Sequence, residues 1–231
     1  GGATTFMTMS YIIFVQPAVL GVTGMDKGAV MVATCLASAL ATLLTGLLAN
    51  YPIAQAPAMG HNIFFAVVVC GAMGYSWQVA LGANFLSGLV FVGLALAGVW
   101  GKMVAAVPDA LKYGIAVGIG LLIALIGLEY GGIVVDSPGA LVALGDLTSR
   151  PVLLALFGLA LTAVLLVLRF PGAILAGILA TAAAGVPLGV VEYHGLLAPV
   201  PSLAPTFLKL DIAGAVETGL VAVVFVFFLL D

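Results

Sequence analysis

Charge is what this chain has least of. Only 6% of its 231 residues are Asp, Glu, Lys or Arg, six basic against nine acidic, for a net charge of −3. A soluble domain carries about 25% charged residues, so so thin a supply excludes an ordinary water-facing surface. There is no basic patch, which excludes a nucleic-acid partner. Histidine occurs twice, at His61 and His194, too few for a metal site of their own. Cysteine also occurs twice, at Cys35 and Cys70. Both fall inside apolar runs and read as small apolar side chains in helices rather than as a disulfide or metal pair. No P-loop, nucleophile elbow, zinc spacing or catalytic triad is present. The reading is therefore of a protein that is not an enzyme and needs no cofactor or metal. The first apolar run lacks a charged leader and a cleavage site, so it is not a signal peptide.

What is present is apolar length. Hydrophobic residues make up 64% and mean hydropathy is +1.35. This predicts an all-α polytopic membrane protein. With about 20 apolar residues needed to cross a bilayer, spans are expected at 4–20, 29–49, 77–99, 108–128, 151–168 and 172–190. A third, interrupted segment covers 52–70, and an eighth span begins near Glu217. Pro108 suits a first helical turn, and Thr148 and Ser149 are capping candidates for the sixth span. The loops 129–150 and 191–216 hold most of the acids. Lys and Arg are evenly divided between the two sides, while Asp26, Glu129, Asp136, Asp146, Glu192, Asp211 and Glu217 share one side, which points that side outward. Glu217 suits the N-terminus of its helix. Gly114, Gly118 and Gly120 follow no strand, so GIAVGIG reads as close helix packing rather than a nucleotide loop. The chain opens on Gly1-Gly2 and stops at Asp231 straight after an apolar run, which reads as part of a longer protein.

The informative stretch is NYPIAQAPAMGHNIFF, residues 50–65. Two prolines, a glycine, a glutamine, a histidine and an asparagine interrupt a membrane-embedded run. Irregular backbone at membrane depth must be buried in protein or line a cavity, since each unpaired group in lipid costs several kcal/mol. In transporters such breaks build the substrate site. Residues 52–58 can form a short extended strand. A helix starting near Gly60 leaves donors unpaired, Asn62 adds an amide with both donor and acceptor capacity, and Phe64 and Phe65 offer flat apolar faces. Thr8, Ser10 and Tyr11 on the first span could border the pocket, although such hydroxyls more often bond their own backbone.

At these residues the sequence resembles the AzgA-like purine permeases, a branch of the nucleobase–ascorbate transporter family. LLANYPIAQAPAMGHNIFF is similar to their third-helix motif. The likeness extends to TTFMTMSYIIFVQPAVL, GAVMVATCLASALATLLTGLLANYP, SWQVALGANFLSG, GDLTSRPVLLALFGLAL, PSLAPTFLKLDI and FVFFLLD. The resemblance implies the first inverted repeat of a 7+7 transmembrane transporter fold, with a broken third segment carrying a short β-strand. It implies core-domain spans over 1–107, gate-domain spans over 108–190, an extended loop over 191–216 and the start of a truncated core-domain span over 217–231. It further implies a multi-pass protein of the plasma (inner) membrane that imports adenine, guanine or hypoxanthine by proton symport and alternating access. An anion transporter or channel on the same fold is the alternative. The partners implied are a purine nucleobase, a proton and the lipid bilayer, with a homodimer as an option. Asn62 matches the asparagine that contacts the base, with His61, Ile63, Phe64 and Thr8 around it. Asp231 matches a carboxylate that binds the base, and as an ionisable group after an apolar run it is also expected to carry the coupling proton; the second acid expected three residues later is not in this chain. Departures are Ala58 for glycine, His61 for leucine, Ile63 for alanine and Gln16 for asparagine. His61 is expected to tune transport rather than enable it. A histidine turned away from the site and hydrogen-bonded in the bundle is the favoured placement.

Overall fold

Helices follow the apolar runs. The computed structural model of the chain describes residues 2–99, 101–102, 105, 107–137, 140–192, 195, 199–217 and 221–230. The first run carries α1 (Gly2–Met9) and α2 (Ile12–Gly21). Pro17 lies inside α2, where it removes a backbone donor and crowds the carbonyl one turn earlier. Asp26 starts α3 (Lys27–Leu48) by accepting the Ala29 N–H at 2.7 Å. Asn50, just past the end of α3, takes a left-handed backbone (φ 56°) that asparagine tolerates.

The third segment is broken as expected. Residues 51–58 have no regular structure, and the helix begins at α4 (Met59–Ile63). It runs on as π1 (Phe64–Ala72), a π-helical stretch closed by a bond from the Met73 N–H to the Val68 carbonyl at 2.8 Å. Ser76 caps α5 (Trp77–Leu96), and Pro108 immediately precedes α6 (Asp109–Tyr130). Then come strands β1 (Val134–Ser137) and β2 (Ala140–Leu144), α7 (Arg150–Val167), α8 (Ala173–Gly185), α9 (Ile212–Glu217) and α10 (Val221–Leu230). Among the described residues, five helical stretches are long and apolar enough to cross a membrane: Gly2–Gly21, Lys27–Leu48, Trp77–Leu96, Asp109–Tyr130 and Arg150–Val167. Met59–Ala72 and Ala173–Gly185 are apolar but shorter.

Several expectations need correction. Residues 51–58 pair with no strand among the described residues. The Gln55 N–H instead donates to Thr42 Oγ1 at 2.9 Å, and the Ile53 N–H to the Tyr51 carbonyl at 2.9 Å. The described strands lie in the loop after α6, where β1 pairs antiparallel with β2 in the register Val134↔Leu144, Val135↔Ala143 and Ser137↔Ala140. The seventh span stops at Gly185, with Pro187 shortly after to prevent its continuation. Glu217 does not open a helix: it lies in α9, five residues past its first residue, Ile212. The residue at that helix start is Asp211, which accepts the Gly214 N–H at 2.8 Å. Among the described residues a Cβ on Gly114, Gly118 or Gly120 would meet nothing within 4 Å. Cys35 is exposed and Cys70 half-buried, both free.

The chain divides into two units. The first comprises residues 1–12, 41–55 and 120–199. Its α7 and α8 pack through glycines: a Cβ on Gly177 would overlap Thr162 Oγ1, and one on Gly158 would come within 2.5 Å of Thr181 Oγ1. Small residues let such helices approach closely without lipid between them. In the loop before α7, Thr148 donates to Asp146 Oδ1 from Oγ1 at 2.6 Å and from its N–H at 2.9 Å, which holds that carboxyl below the usual range.

The second unit comprises residues 13–40, 56–119 and 200–231. Val69, Ser87 and Phe227 are its largest fully buried side chains. The segment before α9 docks on α5, where the Asp211 N–H donates to the Gln78 carbonyl at 2.9 Å. Gly82 makes this possible, because a Cβ there would overlap the Asp211 carbonyl, a backbone atom with no rotamer to escape into. Gly82→Val should therefore destabilise this unit by about 1–3 kcal/mol, the usual cost of overpacking. Thermal unfolding of the purified protein checks it, and an unchanged midpoint would mean the 200–211 backbone yields freely.

Candidate functional site

The broken segment, α2, α5 and α10 meet around one polar patch inside the second unit. His61, Asn62 and Ile63 are all buried on α4. Asn62 Nδ2 donates to Gln16 Oε1 of α2 in a short hydrogen bond. His61 Nε2 lies 2.6 Å from Asn84 Oδ1 of α5. The imidazole also stacks on Phe227 of α10, with centroids 4.6 Å apart and planes 13° from parallel. Phe64 meets Phe227 edge-on at 5.4 Å, and Phe65 lies tilted against it at 6.2 Å. Three aromatic contacts thus hold Phe227 in place at the head of the broken helix.

Beside this patch lies a cavity of about 310 Å³. Its polar wall is Gln16, His61, Asn62 and Asn84; Leu20, Phe65 and Leu81 supply the apolar faces, and Pro57 and Ala58 the entry backbone. Small-ligand sites run to about 300–1,000 Å³ with apolar walls and a few convergent polar groups. The polar wall contains no Lys, Arg, Asp or Glu. Three carboxamides and an imidazole can both donate and accept, which suits a neutral planar heterocycle.

The sequence-derived site residues divide. Asn62 and His61 line the cavity together. His61 lines the cavity and is hydrogen-bonded to Asn84 at once. Ile63 and Phe64 pack beside the cavity without lining it. Thr8 is exposed in the other unit, its hydroxyl bonded to the Thr4 carbonyl at 2.9 Å. Asp231 lies outside the described residues. Sequence reasoning missed Asn84 and Phe227 and noted Gln16 only as a departure. Asn84 carried a usable signal, an amide within an otherwise apolar span, where polar groups are costly and usually functional. Among the described residues no cluster of His, Cys, Asp and Glu could hold a metal ion.

A family model described as a permease family matches residues 1–231, the whole chain. The chain belongs to the permease family. This permease chain is 53% identical over 231 residues to a putative permease of Methanocaldococcus jannaschii, covering 100% of the chain and 53% of that protein. It is 44% identical over 230 residues to the adenine permease AdeP of Escherichia coli, covering 100% of the chain and 52% of the relative. It is 44% identical over 217 residues to the guanine/hypoxanthine permease PbuG of Bacillus subtilis, covering 90% and 49%. The permease chain thus spans about half the length of the curated relatives it matches. Family and relatives alike are named as permeases, transporters rather than enzymes.

Proposed function

We propose that this chain belongs to a purine nucleobase transporter and forms one wall of its substrate site. The observation that carries the reading is the cavity beside Asn62, walled by three carboxamides and an imidazole at the break in a membrane-embedded helix. The names of the relatives, adenine permease and guanine/hypoxanthine permease, support a purine as the ligand. Transport then proceeds by alternating access across the inner membrane, coupled to a proton, with residues 1–107 and 217–231 in a core domain and 108–190 in a gate domain. Asn62 and His61 face the base, Ile63 and Phe64 shape the patch behind them, and Asp231 carries the coupling proton. An anion carrier on the same fold is disfavoured, because the cavity lining contains no Lys or Arg.

The test is uptake of labelled hypoxanthine by the full-length protein in cells without purine permeases of their own. Unlabelled adenine and guanine should compete, sulfate should not, and a protonophore should abolish accumulation. Competition by sulfate, or no purine uptake from well-expressed protein, would overturn the assignment.

A further inference from the structure

Gln16 and Asn62 form an amide pair, and its geometry leaves a specific remainder. Gln16 is 5% exposed and Asn62 7% exposed, so both are more than nine-tenths buried and both line the cavity. One hydrogen bond joins them, from Asn62 Nδ2 to Gln16 Oε1. Among the described residues neither makes another hydrogen bond with its side chain, so Gln16 Nε2 and Asn62 Oδ1 are left over. These ends are not sealed in the protein: the only side-chain atom buried without a partner among the described residues is Ser38 Oγ. The pair therefore offers the cavity one donor and one acceptor, on neighbouring side chains.

The amide groups of Gln and Asn are nearly symmetric in shape, and their oxygen and nitrogen exchange by a half-turn. If both turn, Gln16 Nε2 donates to Asn62 Oδ1, and the remainder becomes Gln16 Oε1 and Asn62 Nδ2. The bond between them is kept, and the positions of donor and acceptor swap. A 6-oxopurine presents an acceptor at its exocyclic oxygen and a donor at N1–H. A 6-aminopurine presents a donor at its exocyclic nitrogen and an acceptor at N1. The two patterns are mirror images, and the two states of the pair are their complements.

We propose that Gln16 is a specificity-determining residue that, through its exchangeable pair with Asn62, lets one site accept both 6-oxo- and 6-aminopurines. This deepens the purine-transporter reading and rests on it. Gln16 contacts the base edge directly; holding Asn62 in place is a second consequence of the same bond.

The experiment measures binding of hypoxanthine, adenine and unsubstituted purine to purified full-length protein, wild type and Gln16→Met. With Gln16 opposite the position-6 group and Asn62 opposite N1, unsubstituted purine, which presents only the N1 acceptor at this edge, uses Asn62 alone. Loss of the amide should weaken hypoxanthine and adenine by about tenfold each, the scale of one hydrogen bond, while unsubstituted purine changes by less than about threefold. Gln16→Asn keeps the amide on a shorter stem, and should weaken the two natural bases equally and by less. It gives the same comparison if Gln16→Met does not fold. An effect on one base and not the other, or an equal loss for unsubstituted purine, would overturn the proposal; the latter would leave Gln16 only a positioning role on Asn62. Failure of the wild type to bind any of the three bases would instead overturn the transporter assignment beneath it.

Discussion

Asn62→Ala in the full-length protein should weaken purine binding roughly tenfold to a hundredfold while leaving membrane insertion intact. The side chain is buried, lines the cavity and is bonded to Gln16. Truncation removes a ligand contact and also leaves the Gln16 carboxamide without its partner. Each loss of a buried hydrogen bond with a stranded partner costs about 1–3 kcal/mol. The packing penalty is small by comparison, because the removed atoms already border empty space. Affinity measured by titration of the purified variant is the check, with a folded, monodisperse preparation as control. Unchanged affinity would remove Asn62 from the site.

Asp231→Asn should abolish pH-dependent accumulation of purine even where some binding or passive exchange survives. In the sequence Asp231 follows an unbroken apolar helix, α10, whose Phe227 stacks on His61. A carboxylate at the end of such a run is expensive in a membrane and is usually functional. Asparagine keeps its shape and part of its hydrogen bonding but cannot take up or release a proton. Binding and coupling should therefore separate in this variant. Uptake against a gradient across a range of external pH measures it. An Asp231→Asn protein that still concentrates purine with the wild-type pH profile would assign coupling to another group.

How much of this was legible beforehand depends on whether a residue speaks for itself or through a partner. Proline and glycine act locally, so the break before Met59 could be read from Pro52, Pro57 and Gly60 alone. Asn62 was legible for the same reason: an amide inside an apolar helix needs an explanation wherever the helix packs. The hairpin of β1 and β2 was missed although Asp136-Ser137-Pro138-Gly139 between two valine- and leucine-rich runs is a turn signal; a span count had no place for strands. Glu217 was assigned to a helix start on charge alone, whereas Asp211 holds that position through its bond to Gly214. Gln16, Asn84 and Phe227 come from three other helices. No local pattern says which amide meets Asn62 or which ring lies on His61, because α2, α5 and α10 must first be packed.

The stacking of Phe227 on His61 also has a consequence in time. A chain emerges from the ribosome N-terminus first, so His61 is in place long before Phe227 is made. Gln16 and Asn62 both belong to the early part. During synthesis those two amides can satisfy each other while the imidazole still lacks its ring. The second unit is finished only when α9 and α10 return to α5 and α10 to the broken helix, so the amide pair comes from the part of the site made first and the ring stacked on His61 from the part made last.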